Sequence, residues 1–356
     1  MPAAWSNGPM SGYDGASDVA LLHRLLLRVA GRFPDETLTD SRVELGSTSP
    51  GEAAEVVARH ALDRGIRLDA EDVRLLTGLV SDAALRERLG ELGSRGIAEA
   101  PERFVPALPE RLPPGYELPP VLDLSLRTAE EAAGFVDEID VTAVALVPDL
   151  PAVGLWRSWR LRPAALPVRV FVIEFDCPVD DLAGLTAGIT LALRQAGAAT
   201  PQVEAYAVGT EVPPYQRAAR DSSALLWAAE ATEPIRVAQA FDRLDPERGP
   251  SFDDGHERLT GPERDAVLRY FDEAPALLTT TDTMVDFVEP ERGSVVPVIH
   301  RTDGRWAWTD LAPYYLRTYG LAPDPGLLEH VRANGYQVPE LGHVARQRVL
   351  AELYHG

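Results

Sequence analysis

Apolar residues recur at 19, 21, 22, 25, 26, 29 and 30, a spacing that lays one continuous stripe along a helix starting after Asp18. Gly31 and Pro34 supply stop signals, and a polar turn region is expected from there to Gly51. EAAEVVARHALDRG, AEDVRLLTGLV and SDAALRERLGEL carry the same period, with Asp69 and Ser81 placed as N-caps. Residues 17–100 therefore read as a helical domain, preceded by a Gly/Ser/Ala-rich disordered terminus over 1–16. Between 101 and 120 seven prolines fall in twenty residues, which suits an extended connector and excludes a helix.

The period then changes. VLDLSL alternates as a short strand, and VRVFVIEF, over 168–175, is dense in β-branched and aromatic residues. TAVALVP, WRSWRLR and VEAYAVG also read as strands. TAEEAAGFVDEI reads as a helix opened by a Thr128/Glu131 capping box. DLAGLTAGITLALRQAG is a helix ending at Gly197, and helix is favoured from 214 to 229. Short strands at irregular spacing point to an α+β domain over 121–245, with a mixed sheet and helices packed mainly on one face. Residues 246–356 read as an aromatic-rich C-terminal αβ module, either separate from that domain or continuous with it, with a hairpin turning at Asp303-Gly304 and short helices after it.

Composition narrows the chemistry. The chain has 356 residues and a formal net charge of -21, which opposes nucleic acid and acidic membrane surfaces as partners. All 34 basic residues are arginine, a mark of GC-rich coding bias. Without lysine there is no Schiff-base chemistry and no GK[ST] phosphate loop. No GxGxxG fingerprint follows a strand, and the seven histidines form no metal-binding spacing, so no cofactor and no metal is implied. The single cysteine, Cys177, allows no intrachain disulfide. With no signal-peptide pattern at the N-terminus, a cytoplasmic protein is expected.

Three groups of residues carry candidate chemistry. Glu174 and Asp176 close the strongest strand and would face one side, where two carboxylates can divide acid and base roles. Trp156, Arg157, Arg160 and Arg162 concentrate positive charge among aromatic rings, with Tyr215 and Arg217 further on. Arg305, Trp306, Trp308 and Tyr314 belong to a C-terminal cluster of residue types enriched at binding hot spots. Each has an ordinary explanation beside it: a strand leaving the core, arginines paired with nearby acids, and aromatics forming the core of the module.

The reading that follows is a non-catalytic accessory protein. It binds a protein partner, of basic charge, or a small acidic ligand, and an immunity-type or regulatory partner of a basic protein fits that description. The alternative is a cofactor-independent hydrolase or isomerase using Glu174 and Asp176. The third is a self-associating structural protein, a homo-oligomer built on a self-complementary apolar surface.

Overall fold

The computed structural model describes residues 15–47, 50–91, 102–112, 115–230 and 234–355. The expected disordered terminus falls almost wholly outside them. The chain divides into two compact units, Met1–Glu230 and Ala231–Gly356. The class is α+β, with an N-terminal helical run followed by mixed sheets.

In the first unit the helices are α1 (Asp18–Arg28), α2 (Asp35–Ser47), α3 (Pro50–Arg64), α4 (Ala70–Leu79) and α5 (Ala83–Glu91). Ser17 caps α1 by accepting from the Ala20 amide. Leu22, Leu25, Leu26, Val57, Leu76 and Leu89 meet in the bundle core. The polar stretch expected as a turn region holds α2. Its buried positions include Thr39, Ser41 and Arg42, so its packed face carries little apolar signal.

The sheet of this unit is built from β1 (Arg103–Val105), β2 (Leu122–Asp123), β3 (Ala152–Leu161), β4 (Val168–Phe175), β5 (Gln202–Ala207) and β6 (Ala224–Ala228). Its order is β2-β6-β3-β4-β5, with β1 also pairing to β3. β1 lies inside the proline-rich stretch expected to be a connector and pairs antiparallel, Phe104 opposite Arg160. Parallel β4 and β5 are joined by α8 (Leu182–Gln195).

Two expected strands or helices change identity. TAVALVP lies in α7 (Glu138–Leu146) and its end. Asp137 accepts from the Ile139 and Asp140 amides, and Asp140 reaches back to the Asp137 amide, so a capping box overrides the β-branched composition. The Thr128/Glu131 box does form, but its helix, α6, is only Ala129–Ala132, and Gly134 follows at φ 92°. The helix favoured over 214–229 stops early: α9 spans Pro214–Asp221, and the rest becomes β6, held between β2 and β3.

Alternation along β3 and β4 sends Leu155, Phe171 and Ile173 into a core with α7 and α8. The alternate face is polar and equally buried. There Arg160 donates to both oxygens of Asp35, at 2.7 and 2.6 Å. Glu204 accepts from Arg42 of α2 and from Gln216 of α9, each at 2.6 Å.

The second unit contains β7 (Arg236–Val237), β8 (Arg243–Asp245), β9 (Gly249–Ser251), α10 (Gly261–Glu273), β10 (Ala276–Leu278), β11 (Thr283–Val285), β12 (Ser294–Pro297), β13 (His300–Thr302), β14 (Trp306–Thr309), α11 (Leu311–Tyr319), α12 (Pro325–Ala333) and α13 (His343–His355). Its main sheet runs β10-β13-β14-β7. β13 and β14 form the expected hairpin, with Gly304 at φ 92°. β7 pairs parallel to β14, placing Arg236 opposite Trp306. Trp308, Tyr270, Phe271, Leu327 and Val331 fill the core beneath. Among the described residues no helix is long and apolar enough to cross a membrane.

Candidate functional site

In the arginine-rich patch of the first unit Arg157 and Arg160 are internal, while Arg162 is exposed. Arg157 is buried, donates to the carbonyls of Pro106 and Phe135, each at 2.7 Å, and lies near Asp140. Arg157, Arg169 and Arg111 all stand within 6 Å of the Trp159 ring, at 5.7, 4.7 and 5.3 Å. Asp137 ties this group together. Burial alone would raise its carboxyl, but Arg169 and Arg111 hold it well below the usual carboxylate range. Arg160 is engaged by Asp35 and by the Tyr215 hydroxyl at 3.0 Å, and burial pushes that phenol up. Arg162 pairs with Glu102 and the Gly31 carbonyl. Trp156 is fully buried, and exposed Arg217 donates to the Val212 carbonyl at 3.1 Å.

Glu174 and Asp176 are not brought to a shared face. β4 ends at Phe175, leaving Glu174 buried beside Tyr206 of β5 and Asp176 exposed in the bend that follows. Cys177 is half-buried, and burial with nearby Asp181 and Asp176 raises its thiol, opposite to what a nucleophile needs.

The C-terminal aromatic cluster divides. Trp308 belongs to the core. Tyr314 donates to buried Asp286 at 2.9 Å, and Tyr319 donates to the same oxygen. Trp306 and Arg305 instead line a pocket of about 330 Å³, with Pro234, Arg236, Gly326, Glu329, His330 and Ala333. That volume lies at the small end of the range for ligand sites, roughly 300–1,000 Å³.

The pocket follows from local sequence. Asp324 caps α12, accepting from the Gly326 amide at 2.8 Å and the Leu327 amide at 3.1 Å. Gly326, Glu329, His330 and Ala333 then share a helix face by their spacing of three and four. A Cβ on Gly326 would stand 2.9 Å from the Trp306 ring, so glycine is what lets α12 close on the indole. Across the sheet the Arg236 guanidinium lies 5.6 Å from the Trp306 ring centroid. Among the described residues no carboxylate lies within ion-pair distance of Arg236.

Behind the pocket lies a buried carboxylate. Asp303, 3% exposed, accepts from the Arg305 amide at 2.9 Å and the Trp306 amide at 2.8 Å through one oxygen. Its other oxygen accepts from the Tyr270 hydroxyl at 2.5 Å and from His330 Nε2 at 2.9 Å. Burial and the bond to Asp303 push the Tyr270 phenol well above its ordinary range, so it stays a donor. Four donors thus converge on one carboxylate and fix the ring of His330 at the pocket wall.

Arg305 and Trp306 are the sequence candidates that reach this site. Arg236, Glu329 and the supporting Tyr270 carry no signal in the sequence, whereas His330 is a histidine the sequence places where it can meet a carboxylate, here Asp303. The Asp303-Gly304 turn was legible, but its carboxylate's second oxygen was not. Among the described residues no group of three or more His, Cys, Asp or Glu is placed to hold a metal ion. Comparison with family models, curated proteins and solved structures finds no match to the chain, so the site is read from its geometry alone.

Proposed function

We propose that this is a ligand-binding accessory protein whose C-terminal unit receives a small acidic ligand in the pocket between α12 and Trp306. The observation that carries this reading is Arg236, stacked on Trp306 and without a carboxylate of its own among the described residues. Stacking fixes the guanidinium plane, and its fork is complementary to a carboxylate. Trp306, only 7% exposed, backs the guanidinium, and His330 adds a polar group held in one orientation. An overall charge of -21 makes a basic pocket wall a local exception and favours small acids over polyanions. A cytoplasmic setting suits a chain with one free cysteine.

The test is titration of the full chain with a panel of small carboxylic acids, read by the Trp306 indole resonance. Arg236→Ala is expected to weaken binding about tenfold or more, the scale of a lost charge-assisted hydrogen bond. Arg217→Ala, an exposed arginine elsewhere, should leave affinity unchanged. Equal affinity in wild type and Arg236→Ala would remove the basis for the proposal.

A further inference from the structure

Resting on that reading, we infer that the pocket binds its acid together with a proton, and that His330 is the group that takes the proton up. The argument starts from Asp303. A carboxylate accepts hydrogen bonds and donates none, so the His330 nitrogen 2.9 Å from Oδ2 carries a hydrogen, and the Asn334 side-chain amide 3.0 Å from the same nitrogen then meets it through its oxygen. In neutral imidazole this leaves Nδ1 as the lone-pair nitrogen. Among the described residues Nδ1 has no hydrogen-bond partner, although the ring lines the pocket. The buried turn between β13 and β14 therefore sets which nitrogen is available for ligand chemistry.

An acid held by Arg236 places negative charge beside that ring. Protonation at Nδ1 then gives an imidazolium between two carboxylates, Asp303 behind and the ligand in front. Among the described residues, Asp303 and Arg305 face His330 from the hairpin turn, Tyr270 from α10 and Arg236 from β7, with Glu329 on its own helix and Asn334 at that helix's C-cap. A bound carboxylate stabilises that imidazolium. Binding and protonation thus favour one another, and the coupling is reciprocal. The step balances simply: a solvent proton adds to Nδ1 as the anion enters, and no other bond changes. The ligand class is a small carboxylic acid. Glu329 at the wall adds a like charge against a dianion such as a phosphate monoester.

Benzoate is the probe, because it offers one carboxylate to Arg236 on a compact body that carries no second charge. In full-length protein labelled with 15N-histidine, His330 is assigned by its loss in His330→Gln. Its two ring nitrogens are then followed against pH, with and without benzoate. The free protein should show hydrogen on Nε2 and a bare Nδ1. Benzoate should raise the His330 midpoint by about one pH unit, equivalent to roughly tenfold tighter binding to the protonated form. Asp303→Asn should lower that midpoint and mix the two tautomers.

Hydrogen on Nδ1 in the free protein would overturn the inference. So would a Trp306 indole shift with benzoate while the His330 midpoint stays still, and that result would leave the acid-binding reading intact. No response of Trp306 would overturn both. Tighter binding of phenyl phosphate than of benzoate would overturn the carboxylic-acid assignment.

Discussion

At the scale of single residues, the first unit places titratable groups where charge is costly. His23 of α1 is fully buried and its Nε2–H donates to the Ala205 carbonyl of β5 at 2.8 Å. Burial lowers its pKa from the ordinary 6.5 to about 4; the backbone bond to Ala205 restores only part of that loss, and Arg42 adds a smaller lowering. The unfolded chain therefore binds a proton between those values that the folded chain refuses. Stability is full above about pH 6.5 and falls as pH drops toward 4, by roughly 1.4 kcal/mol per unit and about 3 kcal/mol across the window. His23→Gln keeps an N–H donor and cannot titrate. Urea unfolding of the two proteins should diverge as pH falls through this window, with the variant losing less. Parallel pH profiles would show that His23 is not the group responsible. The Arg42–Glu204 pair beside it is buried on both sides, so Arg42→Ala should cost about 3–5 kcal/mol by leaving Glu204 without its cation.

At the scale of elements, packing at small residues decides what apolar patterns do not show. α2 meets α8 at Gly46, where an added Cβ would overlap the Ala187 methyl and stand 2.9 Å from the Ala183 carbonyl oxygen. Gly46→Ala gains helix propensity but forces two helices apart, and is expected to destabilise by about 1–3 kcal/mol. Gly78→Ala in α4 has open space around it and should stabilise by about 0.5–1 kcal/mol. Thermal melts of the two variants should move in opposite directions; movement together would mean that the α2–α8 contact yields freely. The same contrast explains what was legible. α1, α3, α4 and α5 bury leucine, valine and alanine at helical spacing, so their positions can be read directly. α2 buries Thr39, Ser41 and Arg42 and was missed. Arg305 and Trp306 could be named because arginine and tryptophan lie together in sequence. Arg236 and His330 reach them only through the pairing of β7 to β14 and the closure of α12 over Gly326, which no local pattern encodes.

At the scale of the whole chain, the cores themselves separate. The residues of the bundle core and of the β1–β6 sheet core all precede Ala231, and those of the two C-terminal cores all follow it. Among the described residues, those lining the pocket all belong to the second unit. A ligand that binds there stabilises only what unfolds with its site, by RT ln(1 + [L]/Kd), or about 2.7 kcal/mol at a hundredfold excess over Kd. Hydrogen exchange of the full chain in mild urea, with and without a carboxylic acid bound at Arg236, distinguishes the two architectures. Two cooperative units predict that slowed exchange is confined to 234–355, while amides of β3, β4 and β5 keep their rates. Equal protection of both sets would mean that the chain unfolds as one body despite its separate cores. Confinement would instead place the proposed ligand response in a module that acts without remodelling the larger sheet.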